Sequence, residues 1–481
     1  MSPRCNLWVS GSFVTPFLTI LPCGRGRLPH IQKDSVELGV AYPLIYTEAD
    51  ALTQVDIKHR IEARISQGEF LANMLHVVGQ QSDQAQSDFV SQLSKIAAVV
   101  RDLLESNGFL RKVAYDPQRY WPGVRGKTFA FVDGGVANID LPSAAPIGIR
   151  VGSYVVRPGD ESEHRERFNI ELSLVDDLYS ASGALYDDDF LDIAKLRDAA
   201  RIISELAAAY RIARDAKAEG VDAIVLHGPL INPVSPYALD DFPSFGEGAS
   251  RTFLCNEEWA GPEDERQFAS LYLLLLESLR DTGVPVVGAV ERSIGRDPVF
   301  IRRLLQTLVD RKDLKEKDAQ SVESKLRTYG LNDSSLLDVV LGEGEYVTPT
   351  PVNRQGPENK WPEIWKWKIR GYPSALTTYI KPSDLVLPFR VETFENAANF
   401  DEVLSLILHT SRLLPSYGFP VGLDVVDRFA KVPAWLSNRV KGQHQVVLLR
   451  RAIETGDPRT VAFAKRVLAA KGRDWLFRPE A

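Results

Sequence analysis

Cysteine is scarce in this chain. Three occur in 481 residues, Cys5, Cys23 and Cys255; none forms a CxxC pair or stands near a histidine at zinc-site spacing. That leaves no disulfide framework and no structural zinc, and it points to a reducing, cytoplasmic setting. No apolar run approaches the length of a membrane span, so no membrane partner is expected. The signatures of several enzyme classes are missing as well. No GxGxxG follows a strand, and neither GxSxG nor HExxH occurs. Nicotinamide and α/β-hydrolase chemistry thereby lose their usual marks. Gly126-Lys127-Thr128 imitates the end of a phosphate loop. The position that would carry its first glycine is Trp121, however, and the triplet precedes a strand instead of following one. It is not an ATP site. Internal repeats and low-complexity tracts are also absent.

What is present is an ordinary globular composition, 44% hydrophobic and 25% charged, long enough for one large core or two to three smaller ones. The net charge of −7 hides an asymmetry. Arg428 to Arg473 holds eleven Lys/Arg against Glu454 and Asp457, a balance of +9 that leaves −16 for the rest. A basic face on an acidic protein fits a polyanion or an acidic partner; two solvated helices would read the same way.

The chain is organised around Phe129-Ala130-Phe131-Val132-Asp133-Gly134-Gly135. Four residues that favour a buried strand run into an aspartate, and two glycines let backbone or ligand come close. A carboxylate ending such a strand is held rigidly at the sheet's edge, as a divalent metal requires. An Asp-Gly turn between two strands is the competing reading.

Residues 1–33 contain no acid and no clean signal-peptide pattern, and read as a poorly ordered leader. Helical patterns at about 57–78 and 89–104, the second striped by Phe89, Leu93, Ile96, Val100, Leu103 and Leu104, suggest an N-terminal helical arm over 34–120. Strands are expected at 127–133, 147–156 and 168–175, then a helix at 190–219 and a strand at Ala223-Ile224-Val225-Leu226. A helix near 264–281 and a strand around Val284 to Gly288 follow. That order makes an α/β mixed sheet with helices packed on it. Beyond it lie charged helices over 295–345, a proline-rich loop at 348–362, strands at 375–381 and 385–393, and helices beginning near 398, 421, 443 and 457.

Three positions join Asp133 as candidates. Glu205 falls in line with Ile202, Leu206 and Ala209, so it points toward the sheet, where a carboxylate needs an ion-pair partner such as arginine or a metal. His227 ends a strand just before Gly228-Pro229, either as a ligand or as a capped loop histidine. Asp427 borders the stripe of Leu423, Val426 and Ala430, either as a ligand or as the partner of Lys431 one turn on.

Taken in order, these residues resemble the NurA nucleases, which work with HerA-type hexameric ATPases in DNA end processing and, in some bacteria, phage defence. Phe131-Val132-Asp133-Gly134-Gly135 stands for the family's apolar strand ending in Asp-Gly-Ser. Ile203-Ser204-Glu205-Leu206 matches its helical glutamate, and Ile224 to Leu230 its strand ending in Asp-Gly-Pro-Leu. Val286 to Arg292 matches a strand ending near a polar pair, and Phe389-Arg390-Val391-Glu392 a late Arg-x-Glu. Tyr417 to Leu423 followed by Asp427 matches a Tyr/Pro segment leading into a helix that supplies His or Asp. The resemblance spans roughly 125–435 and implies an RNase H-like nuclease domain over 121–435, followed by basic C-terminal helices over 436–481 packed on the core. It also implies a metal-dependent DNA nuclease that acts as a homodimer docked on the ATPase. Asp133, Glu205, His227 and Asp427 would hold Mn²⁺ or Mg²⁺, and Arg390, Arg439, Lys441, Arg450 and Arg451 would guide DNA.

Two departures stand out. Gly135 replaces the serine, and His227 replaces an aspartate. The second removes a negative charge, weakens binding of hard Mg²⁺ and suits Mn²⁺ better. The histidine and aspartate positions would then have exchanged ligand types, with Asp222 or Asp240 as substitutes. The alternative is a degenerate relative that caps and regulates the hexamer without cutting, and a plain DNA-binding protein using the basic tail is a third reading.

Overall fold

The computed structural model describes residues 69–138, 147–175, 193–232, 268–291, 298–352, 373–395 and 400–469, together with His59 and Glu62. The expected leader and Asp240 lie outside the described residues. Contacts divide the chain into Met1–Ser82 and Asp83–Ala481. The second unit is built on one sheet.

Its centre is β2 (Thr128–Asn138), which follows a short helix, α2 (Pro117–Gly123). Phe129, Ala130, Phe131 and Val132 are all buried, so this strand is covered on both faces. Two antiparallel strands follow in sequence, β3 (Ile147–Val156) and β4 (Glu166–Val175). A long helix, α3 (Ile193–Glu219), leads to β5 (Val221–His227), which lies parallel to β2 on its other side. Helix α4 (Phe268–Asp281) precedes β6 (Val286–Val290), parallel to β5. The order β6-β5-β2-β3-β4, three antiparallel strands followed by two parallel ones, is that of an RNase H-like core with flanking helices, as expected.

The sheet continues past β6 through β10 (Phe389–Phe394), β9 (Ala375–Ile380), β7 (Glu345–Val347) and β1 (Leu110–Lys112), with β8 (Thr350–Pro351) beside β9. The three shortest of these, at two or three residues, are too brief for alternation to reveal. β1 adds a strand within the stretch assigned to a helical arm. The expected stripe does form part of a helix, Glu69–Ser106 (α1); Ile96, Ala97, Val100 and Leu104 are buried. They pack with three helices of the charged region, α5 (Val299–Asp310), α6 (Glu316–Thr328) and α7 (Asp333–Val340). Two short C-terminal helices, α8 (Phe400–Ser411) and α9 (Val421–Ala430), cover the sheet face opposite α3 and α4. The basic helix α10 (Ala434–Glu454) starts nine residues before its expected position at 443 and is followed by α11 (Pro458–Ala469). Among the described residues no helix is long and apolar enough to cross a membrane.

β2 corrects one expectation that matters for the site. The strand does not stop at Asp133. Pairing with β3 continues to Asn138↔Ile147, whereas pairing with β5 ends at Val132↔Leu226. Asp133 is therefore mid-strand, at the point where one neighbour leaves. One side is pinned by the ladder and the other opens. Phe131, two residues back on the same face, is 2% exposed and meets the start of α9 at Gly422. Burying a side chain of this size contributes about 1.5–3 kcal/mol, and truncating it to alanine costs about 3–5 kcal/mol.

Candidate metal centre

Residues alternate along β2, so Phe131, Asp133 and Gly135 face α9, whereas Val132 and Gly134 face α3. Asp133 is buried, and its Oδ1 accepts a hydrogen bond of 2.8 Å from Gly134 N. Oδ2 lies 3.2 Å from His227 Nδ1. His227 is the last residue of β5, one position beyond the final pair with β2, and its ring rests 5.4 Å from that of Phe419.

Asp427 arrives from α9. Leu423, Val426 and Ala430 bury one side of this helix, and Asp427 sits at the margin of that stripe. Gly135 makes the docking possible. A Cβ there would stand 2.3 Å from the carbonyl oxygen of Ala430, a backbone atom with no freedom to swing aside. Glycine at this position is thus a requirement for seating the helix. Asp133, His227 and Asp427 each offer one ligand atom within 4.8 Å of the others.

Glu205 reaches the same strand from the other layer. A Cβ on Gly134 would be 2.8 Å from its Oε1, so this glycine opens the space its carboxylate occupies. Glu205 is not part of the close trio. Arg201, one turn earlier on α3, donates to Oε1 at 2.8 Å and also binds Asp198. The arginine partner is thus present, as is the Lys431 partner of Asp427.

Charge follows geometry. Burial pushes the Glu205 carboxyl up to about 7, with Asp133 adding to the effect and Arg201 and His227 opposing it. Burial would lower the His227 pKa, but the hydrogen bond and charge of Asp133, with Glu205 and Asp427 behind it, raise it on balance. The hydrogen bond to Asp427 raises Lys431, as does the nearby Asp133. Two carboxylates and one imidazole at these spacings fit a single divalent cation of borderline hardness, Mn²⁺ better than Mg²⁺.

The remaining expected positions are scattered. Asp222 cannot stand in for His227: it sits at the opposite end of β5, where its Oδ2 accepts from Thr128 N at 2.7 Å across a register shift. Arg390, on β10, points into the interior, 3.1 Å from Glu392. Glu392 in turn accepts from Ile231 N just after β5, so this pair braces the loop beyond His227. Arg439, Lys441, Arg450 and Arg451 all lie on α10; Lys441 is half-buried, the other three are exposed, and Arg451 pairs with Glu454. Two residues that sequence reasoning missed are Arg201 and Arg150. The first was visible as the i−4 neighbour of Glu205. The second becomes visible only through the register Gly135↔Arg150.

The site is thus an RNase H-like sheet with two carboxylates and an imidazole, from three separate elements, gathered beside its central strand. A model of the NurA domain matches residues 127–432, well over half of the chain, and the chain belongs to that family. Among solved structures it is similar to the NurA nuclease from Sulfolobus solfataricus, at 13% identity and a TM-score of 0.46 over 81% of this chain and 98% of that one. A NurA structure with manganese shares 10% identity, with a TM-score of 0.41 over 77% and 97%. Human ENDOV shares 12%, with a TM-score of 0.27 over 71% and 96%. No curated protein matches.

Proposed function

We propose that the chain is a divalent-metal-dependent deoxyribonuclease. The observation that carries this reading is the convergence of Asp133, His227 and Asp427 on one face of β2 in a NurA-family chain. These three would hold Mn²⁺ by preference or Mg²⁺, with Glu205 as a fourth member once it leaves Arg201. A bound ion supplies Lewis-acid stabilisation of phosphodiester charge and acidifies water. The protein's own part is positional. Gly134 N–H fixes the Asp133 carboxylate, the β5 terminus fixes the imidazole and α9 delivers Asp427. His227 must be neutral to donate a lone pair, so its proton has to leave before it can serve. Glu205, with a carboxyl near 7, is suited to exchange a proton at neutral pH. Arg439, Lys441, Arg450 and Arg451 on α10 would guide the DNA backbone. Work as a homodimer with a hexameric HerA-type ATPase in the cytoplasm, in end resection or degradation of phage DNA, belongs to the same proposal.

A second reading has its own support. His227 stands at a family carboxylate position and pairs with Asp133, and Glu205 and Asp427 also have cationic partners. A degenerate family member that caps and regulates the hexamer would look like this. Cleavage of linear DNA with Mn²⁺ or Mg²⁺, by wild type and Asp133→Ala, with and without the cognate ATPase, separates the two. Cutting that disappears in the variant supports the nuclease. No cutting under any condition, with the ATPase complex still forming, leaves the cap.

A further inference from the structure

Beside the carboxylates, on the same face of the sheet, stand two cations that the reading above does not use. Lys431 is the residue that ends α9, and three contacts fix it. Its backbone passes over Gly135, where a Cβ would be 3.2 Å from Lys431 Cα. Its carbonyl accepts from Arg150 Nη1 at 3.0 Å. Its ammonium rests on Asp427 Oδ2. Arg150 projects from β3 directly opposite Gly135, two positions along from Asp133. Among the described residues Arg150 has no carboxylate partner; its guanidinium donates to that carbonyl. A guanidinium that borders a carboxylate cluster without pairing to it is a ready site for an anion.

We propose that Arg150 and Lys431 form a clamp for the non-bridging oxygens of a phosphodiester, and that Lys431 enters it only when Asp427 turns to a metal ion. This rests on the nuclease reading and deepens it. Asp427 cannot give its full charge both to an ammonium and to a cation shared with Asp133 and His227. Once the carboxylate is claimed, a mostly exposed lysine on a flexible stem is released within reach of the same centre, while Arg150 is available throughout. Substrate grip would then be coupled to metal loading through one side chain. The glycine at position 135 is what brings the end of α9, and hence Lys431, to this place.

The test uses the full chain, Mn²⁺ alone followed by EPR, and a fluorescein-labelled phosphorothioate single strand followed by anisotropy. Lys431→Met removes the competitor for Asp427, so Mn²⁺ should bind about 2- to 5-fold tighter, as for loss of an exposed ion pair. For the oligonucleotide, each lost phosphate contact should lower the salt slope of log affinity by ~0.7. Arg150→Met should do so with Mn²⁺ and with EDTA, Lys431→Met only with Mn²⁺, and Lys431→Arg should restore the slope. Slopes unchanged in both variants, or a Lys431→Met effect of equal size in EDTA, would overturn the clamp while the nuclease reading stands. If wild type binds no Mn²⁺, the nuclease reading fails and the clamp falls with it.

Discussion

The seat of α9 on β2 makes a demanding prediction at Gly135. In Gly135→Ala the new Cβ would lie 2.3 Å from Ala430 O, 3.0 Å from Ala430 C and 3.2 Å from Lys431 Cα. The first distance is roughly 1 Å short of ordinary contact, and every atom opposite is backbone. The end of α9 therefore has to move away, drawing Leu423 and Val426 from their packing against Phe131 and β3. Overpacking of this kind costs about 1–3 kcal/mol, which for a unit this large lowers Tm by only a few degrees. The larger effect falls on the metal. Asp427 lies less than one turn before Ala430, so displacement of the helix spoils its place in the trio, and Mn²⁺ affinity should drop about 10- to 100-fold, as when a ligand loses its support. Calorimetry for stability and EPR titration for Mn²⁺ read the two quantities separately. Gly123→Ala, where a Cβ meets nothing within 4 Å, is the control. Gly135→Ser, which restores the serine of the family motif, should behave like the alanine variant. Full Mn²⁺ affinity and unchanged Tm in Gly135→Ala would refute the claim that this glycine seats the helix.

Other consequences follow from the same geometry. His227→Asp adds a carboxylate to the trio, and activity with Mg²⁺ should rise relative to Mn²⁺; an unchanged metal ratio would count against His227 as a ligand. The raised His227 pKa has a definite sign. Without metal, the pair with Asp133 contributes stability that is fully present below about 6.5 and is lost as pH rises through the higher folded value. Urea midpoints should fall across that window in wild type and fall less in His227→Asn, where Glu205, its carboxyl raised to about 7, still titrates. Below the folded value Mn²⁺ binding should also release a proton, seen as a buffer-dependent heat in calorimetry. Finally, buried Asp333 accepts from Phe300 N and Ile301 N, both at 3.0 Å, in the first turn of α5. Asp333→Ala strands both amides and should cost about 1–3 kcal/mol by calorimetry; no loss would show the cap to be dispensable.

Much of this was legible from periodicity and order. The run from Phe129 to Val132 gave the central strand, the stripe beside Glu205 gave its inward direction, and the run of three strands, helix, strand, helix, strand gave the sheet. Three further things depended on register, which a single sequence does not carry. Asp133 lies inside a strand because β3 outlasts β5 as its partner. Gly135 read only as the replacement of a serine, yet it is the contact point for α9. Arg150 meets Lys431 through a hydrogen bond spanning 281 positions, with no local pattern to announce it. Arg390 shows the converse: its place in an Arg-x-Glu motif suggested a DNA contact, and the fold adds what the motif does not say, that side chains two apart on a strand share a face and its guanidinium lies 3.1 Å from Glu392.

The wide sequence separation of the three converging residues also has a bearing on synthesis. Asp133 and His227 leave the ribosome early, whereas Asp427 belongs to a helix that begins only at Val421. Domains fold as units, and Leu423 and Val426 of α9 belong to the core that covers Phe131. A chain stalled or cut before α9 lacks both the third donor and part of the core beneath the first, and completeness of translation becomes a condition for assembling the trio.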